Sequence, residues 1–188
     1  MKYKFTEGFD KYACEGEFIT AKLSRGRIAK ATIVYDQDSG PPWDSGDGYG
    51  IVSDWRDKDT KRPGERVLCA EESPGGNPRV RFYDLQETMK KAREEDWGCG
   101  IESHSHKTPG ERADCAVEQD FQFHRAWCED KWFYCGIVLS IEDKEGEELD
   151  VRAGSLWGIE CNSGYDYECG NPYLLTVAND LLSEYKTK

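Results

Sequence analysis

The chain has 188 residues, 37% of them hydrophobic and 12% aromatic, which is enough large apolar side chains to fill the core of one ordinary domain. Its formal net charge is −12, and the excess lies wholly in the second half: residues 1–94 carry 17 basic and 17 acidic side chains, residues 95–188 carry 8 and 20. A chain this acidic repels phosphate backbones, which excludes direct nucleic-acid binding as the first expectation and favours a partner with a basic surface. With no apolar run of about eighteen residues and no apolar leader segment, the expectation is a soluble cytoplasmic protein that makes no membrane contact.

The first residues read as a loop. Two strands follow, Glu17 to Ser24 and Arg27 to Asp36, joined by a tight turn at Ser24-Arg25-Gly26. From Gln37 to Gly50, glycines, prolines and acids surround Trp43. Asp36, Asp38, Asp44 and Asp47 invite comparison with a calcium loop, but two prolines and a tryptophan break the alternation and no glutamate closes it. A surface loop is the better reading, with Trp43 as an interface anchor or folded back on the protein. Ile51 to Trp55 reads as a short strand. Arg56 to Arg66 reads as a solvated loop in which Asp57, Asp59 and Glu65 largely neutralise the basic cluster.

One string occurs twice. Lys61-x-Pro63-Gly64-Glu65-Arg66-x-x-Cys69-Ala70-x-Glu72 returns as Lys107-x-Pro109-Gly110-Glu111-Arg112-x-x-Cys115-Ala116-x-Glu118. Two copies are too few for a stacked array, and Pro-Gly-Glu suits the first turn of a helix in both. In the first copy, however, Val67 to Ala70 leans to strand, because Ser73-Pro74-Gly75-Gly76 ends it early.

Pro78 to Tyr83 reads as a strand. Asp84 as N-cap and Glu87 three residues on open a helix to Trp97, with Leu85, Met89 and Ala92 facing a core and Gly98 as the stop. Glu94, Glu95 and Asp96 sit against the helix dipole in its last turn, where an external partner could use them. Thr108, Pro109 and Glu111 open a longer helix with Ala113, Val117, Phe121, His124 and Cys128 at helical spacing, the stripe widened by Ala116, Phe123 and Trp127. Trp132 to Ile141 then suits a central strand. Asp143 to Gly146 form a hairpin turn, and acidic Glu147 to Arg152 lead into Ser155 to Glu160. After a polar, aromatic loop from Asn162 to Gly170, Asn171 and Pro172 cap a last helix with Leu174, Leu175, Ala178, Leu181, Leu182 and Tyr185 on one face. The predicted fold class is α+β, a mainly antiparallel β-sheet with about three α-helices packed on one face, in a single domain of residues 1–188.

Chemistry is sparsely marked. No GxSxG, HExxH or P-loop is present, no catalytic residue can be assigned, and no cofactor is implied. Cys99, His104, His106 and Cys115 offer two sulfurs and two imidazoles, the ligand types of a structural zinc site. Against it, Cys115 belongs to the long helix, and His104 and His106 point opposite ways if their loop is extended. His124 reads as a core histidine; Cys128 lies one turn away and could touch it, with nothing visible to activate the pair. The eight cysteines include no CxxC and are expected to be reduced, most of them packing as small hydrophobes.

Several strings taken in order, Arg81-Phe82-Tyr83-Asp84, Trp97-Gly98-Cys99, Ala116-Val117-Glu118-x-x-Phe121, Trp127-Cys128-x-Asp130-x-Trp132-x-Tyr134-x-Gly136-x-Val138 and Ser155-Leu156-Trp157-Gly158-Ile159-Glu160, resemble a family of small uncharacterised bacteriophage-encoded proteins. The resemblance spans roughly residues 50 to 185. It brings no activity and no site residues, and implies a phage product working in the host bacterial cytoplasm.

The expectation that follows is an acidic binding protein that inhibits a host anti-phage defence protein through a basic surface, with carboxylates standing in for nucleic-acid phosphates. The contact residues expected are Glu142, Asp143, Glu145, Glu147, Glu148 and Asp150 on the hairpin, with Glu94, Glu95 and Asp96. An alternative is capture of a nucleotide signal by Arg56, Arg62, Arg66, Arg79 and Arg81 with nearby aromatic rings. A third is an enzyme that turnover or a bound metal would reveal.

Overall fold

The computed structural model describes residues 3–45, 49–71, 76, 78–98, 108–163 and 171–185, with the side chains of residues 45, 151 and 152 left out. Along the chain the elements are β1 (Phe18–Lys22), β2 (Ile28–Tyr35), β3 (Ile51–Val52), β4 (Arg56–Asp57), β5 (Glu65–Glu71) and β6 (Arg79–Asp84). They continue with α1 (Leu85–Glu94), α2 (Pro109–Cys128), β7 (Phe133–Glu142), β8 (Glu148–Cys161) and α3 (Pro172–Tyr185). The fold class is α+β with antiparallel pairing throughout. Where the sequence reads as one domain around one sheet, the chain gathers into two compact units with a sheet in each.

The first unit comprises Met1–Ser39 and Trp132–Lys188. Its sheet has the order β1-β2-β7-β8, so the two central strands come from opposite ends of the chain. Alternation dictates which face is buried. Ala29, Ala31 and Ile33 of β2 and Cys135, Ile137, Leu139 and Ile141 of β7 are fully enclosed. Leu174, Val177, Ala178, Leu181 and Leu182 of α3 pack onto β7 and β8. The small alanines leave room for Phe5 and Phe9, brought in by the opening loop and pinned where Phe5 N–H donates to Asn179 Oδ1 at 2.9 Å. Each buried aromatic of this kind contributes about 1.5–3 kcal/mol.

Gly40–Lys131 form the second unit. β5 runs along one edge of β6, while β3 and β4 pair in succession along the other. Ser53 bridges the gap between these two short strands: its N–H donates to Phe82 O at 2.8 Å, and its Oγ accepts from Phe82 N–H at 3.0 Å. Asp84 caps α1 by accepting from the N–H groups of Gln86 and Glu87. The helix stops at Glu94, short of the expected Trp97, because Asp96 takes a left-handed conformation (φ 50°) and Trp97 N–H bonds back to Ala92 O. The capping box of Thr108 and Glu111 opens α2, which buries Ala113, Ala116, Val117, Phe121 and His124.

The repeated string adopts two structures. Its first copy enters β5 after Gly64 at φ +83°, where a Cβ would press into the Gln86 side chain. Its second copy opens α2, with Pro109 at the start of the helix. The shared Pro-Gly-Glu does not decide between strand and helix; pairing with β6 in one case and the Thr108 cap in the other do.

Candidate functional site

The β7–β8 hairpin closes on a turn held by Asp143. Its Oδ1 accepts from the N–H groups of Glu145 and Glu147, both at 2.9 Å, and Gly146 supplies φ +86°. Glu142 pairs with Lys30 at 3.0 Å, and Glu145 forms an exposed pair with Lys144 at 3.2 Å. Asp150 is half-buried. Glu147 and Glu148 differ from these: both are exposed, and their carboxylates have no partner among the described side chains. They precede Leu149, itself 57% exposed. Of the six hairpin acids expected to meet a partner, Asp143 and Glu142 therefore shape the turn and the sheet, and Glu147 and Glu148 remain free to act outward.

The second acidic group, at the end of α1, is partly taken up by the fold. Glu95 Oε2 accepts from Trp97 Nε1–H at 2.8 Å, and Asp96 pairs with Arg112 of α2 at 2.9 Å. The Arg112 guanidinium offsets the clash with the helix dipole. Glu94 is exposed.

The arginines proposed for nucleotide capture all lie in the second unit, and the side chains of four of them are bonded to other residues of that unit. Arg56 pairs with Glu65 and lies over the Phe82 ring at 4.5 Å. Arg66 pairs with Glu118 at 2.6 Å and lies 5.2 Å from Phe121. Arg79 and Arg81 donate to the carbonyls of Trp55 and Ser53, both at 3.0 Å, and Arg81 sits 5.6 Å from Trp43 and 5.1 Å from Trp55. Arg62 contributes its N–H to Glu65 Oε2 at 2.6 Å. Burial pushes the Glu65 carboxyl up, but the bonds from Arg62 and Arg56 bring it below the ordinary carboxylate range. These contacts brace β4, β5 and β6.

Of the suggested zinc ligands, Cys99, His104 and His106 lie outside the described residues, and Cys115 is half-buried on α2. Among the described residues no group of three or more side chains could hold a metal ion. The expectation of reduced thiols is corrected at one pair: Cys69 of β5 and Cys128 at the end of α2 form a disulfide. This also removes Cys128 as a thiol partner for His124. Cys135 and Cys161 do pack as small hydrophobes, fully buried in the first unit. The hydrogen bond to Cys135, with burial behind it, holds the Cys161 thiol far above its ordinary range, and it stays protonated.

One polar cluster is not foreseen in the sequence. Tyr83 donates its phenol to Asp120 Oδ2, the same oxygen that accepts from Gly50 N–H at 2.9 Å. The other carboxylate oxygen lies 3.3 Å from His124 Nε2, a close approach without hydrogen-bond geometry. His124 is wholly buried against the rings of Trp43, Tyr49 and Phe123. Burial, then the Asp120 charge, raises the Tyr83 phenol far above its ordinary value, so it remains a donor. Asp120 and His124 at i, i+4 on α2 are the signal available in sequence. With no exposed atom on the imidazole, the cluster ties α2 to β6 and does not present a reacting group.

Among the described residues no helix is long and apolar enough to cross a membrane. A scan against protein-family models, a search of curated proteins and a search of solved structures each find no match for this chain.

Proposed function

We propose that this chain is a phage-encoded acidic binding protein that inhibits a host protein, a component of anti-phage defence, by offering carboxylates to a basic surface in place of nucleic-acid phosphates. The observation that carries the reading is the hairpin after Asp143, where Glu147 and Glu148, without partners among the described side chains, precede an exposed leucine. Unpaired carboxylates on a chain of net charge −12 steer a basic partner inward, and Leu149 supplies apolar area once contact is made. The phage and host setting comes from the resemblance of the ordered sequence blocks. Nucleotide capture loses support because four of the five arginine side chains already have partners within their own unit.

The test is an affinity capture from host lysate, washed at low and at high salt and read by mass spectrometry. A nucleic-acid-binding host protein retained at low salt, released at high salt and absent with the Glu147→Lys/Glu148→Lys variant is the expected result. Capture that survives both high salt and the double charge reversal refutes the acidic-surface reading.

A further inference from the structure

We infer that the polar face of α3, with residues 3 and 4 opposite it, is a binding site for a small zwitterion, a free α-amino acid with an apolar side chain. The site lies within the first unit and shares no residue with the acidic hairpin, so it adds a ligand to the reading above and does not depend on it. A cavity of about 390 Å³ opens there, lined by Tyr3, Lys4, Thr176, Asn179, Asp180 and Ser183. That volume falls within the range of small-molecule sites.

Two walls are built separately and fastened together. Thr176, Asn179, Asp180 and Ser183 stand at i, i+3, i+4 and i+7 on α3, which sets them along one face of the helix beside its buried apolar stripe. Residues 3 and 4 form the facing wall. They are held there because Phe5, the next residue, is buried in the core and its N–H donates to Asn179 Oδ1 at 2.9 Å. Asn179 is fixed in turn, since its Nδ2 donates to Leu175 O at 3.0 Å. Thr176 Oγ1 donates to Pro172 O at 3.1 Å and keeps only the capacity to accept. The cavity is therefore formed by bonds that need no ligand.

The groups left over name the ligand. Lys4 and Asp180 carry opposite charges on opposite walls of the one cavity, and neither has a bonding partner among the described residues, each other included. Their charged atoms are thus more than 4.0 Å apart. A sphere of the cavity's volume is about 9 Å across, which sets the gap to be bridged. An α-amino acid fits it: two charge-assisted hydrogen bonds of about 2.8 Å, with about 3 Å between its nitrogen and its carboxylate oxygens, reach about 8–9 Å. The carboxylate accepts from Lys4 Nζ and the ammonium donates to Asp180. A simple anion would meet Asp180 as a like charge, and a simple cation would meet Lys4 in the same way. Ser183, whose hydroxyl also has no partner among the described residues, can donate to the second carboxylate oxygen. The half-buried Tyr3 supplies aromatic area for the side chain.

The probes are L-phenylalanine, N-acetyl-L-phenylalanine, which lacks the ammonium, and L-phenylalaninamide, which lacks the carboxylate. Each is titrated at neutral pH against the full chain and followed by amide chemical shifts. The expected result is saturable binding of phenylalanine with a Kd on the order of 1 mM or below, shifts centred on residues 3–5 and 176–183, and at least tenfold weaker binding of either derivative. Asp180→Asn should bind phenylalanine at least tenfold more weakly and cease to discriminate against the acetylated form; Lys4→Met should do the same for the amide form. Both side chains are exposed, so unshifted amides elsewhere will show that the variants fold. No saturation by phenylalanine up to its solubility limit overturns the site. Equal binding of all three compounds, or unaltered affinity in both variants, overturns the zwitterion assignment, and shifts centred on other residues overturn the placement. None of these outcomes bears on the acidic hairpin, which the salt-sensitive capture tests by itself.

Discussion

The Cys69–Cys128 disulfide makes a prediction with a size. The two residues are 59 apart in sequence, with Cα atoms 5.6 Å apart. Opening a loop of that length restores chain entropy to the unfolded state worth about 4 kcal/mol at 25 °C. Against a total stability of roughly 5–15 kcal/mol for a domain, this is a large share. The perturbation is Cys69→Ala/Cys128→Ala, or dithiothreitol added to the unaltered chain. Urea unfolding is followed by tryptophan emission, to which Trp43, Trp55, Trp97 and Trp127 of the second unit contribute. With a slope of about 2 kcal/mol/M, the midpoint should fall by roughly 2 M in both cases. Alanine is used because both sulfurs pack against the second unit's apolar cluster, where serine would add an unpaired hydroxyl. An unmoved midpoint, with mass spectrometry confirming that the bond had been present and was then opened, would refute the loop-entropy argument. Eight alkylatable thiols in the purified, unreduced protein would refute the disulfide itself.

Three further outcomes follow from the described contacts. Tyr83 is held neutral in the fold but ionises near pH 10 when unfolded, so its contribution is complete below pH 10 and is lost as pH rises above that value. Tyr83→Phe should therefore cost about 1–3 kcal/mol at neutral pH, through the buried carboxylate it abandons, and flatten the alkaline decline seen in pH-dependent unfolding. For Asp36, burial raises the carboxyl, but bonds from Ser39 and from the N–H groups of Asp38 and Gly158 bring it below its ordinary value of 3.8. Its contribution is complete above about pH 4 and is lost as pH falls through the folded value, so Asp36→Asn should flatten the acid limb of the same measurement. Gly136→Ala should displace the Trp157 ring, cost about 1–3 kcal/mol and red-shift the tryptophan emission; an unchanged spectrum would contradict the packing.

What could be read in advance was local. Thr108, Pro109 and Glu111 announce α2 within one turn, Asp84 announces α1, and the spacing of Leu174, Ala178, Leu181 and Leu182 announces α3, because caps and helical periodicity are properties of neighbouring residues. Division into two sheets was not legible, since it depends on β2 finding β7 across the whole second unit, and alternation along either strand says nothing about its neighbour. The Cys69–Cys128 pairing was hidden for the same reason, as connectivity among eight cysteines does not follow from spacing. Phe5 and Phe9 read as loop and are loop; only the tertiary structure assigns them to the core. At the candidate site, sequence identified the acidic hairpin but could not separate Asp143, which builds the turn, from Glu147 and Glu148, which do not.

The placement of β2 beside β7 also bears on how the protein is made. At a synthesis rate of about 5–20 residues per second, roughly 5–20 s separate the emergence of Tyr35 from that of Phe133 on the ribosome. During that interval the β1–β2 hairpin has an unpaired flank, while Gly40–Lys131 can already close its own core. Birth order therefore runs from the inside of the gene outward: the inserted unit matures first, and the surrounding one waits for its second half. A nascent chain arrested once Lys131 has cleared the ribosome should show a protease-resistant core mapping to residues 40–131, with residues 1–39 still open to cleavage.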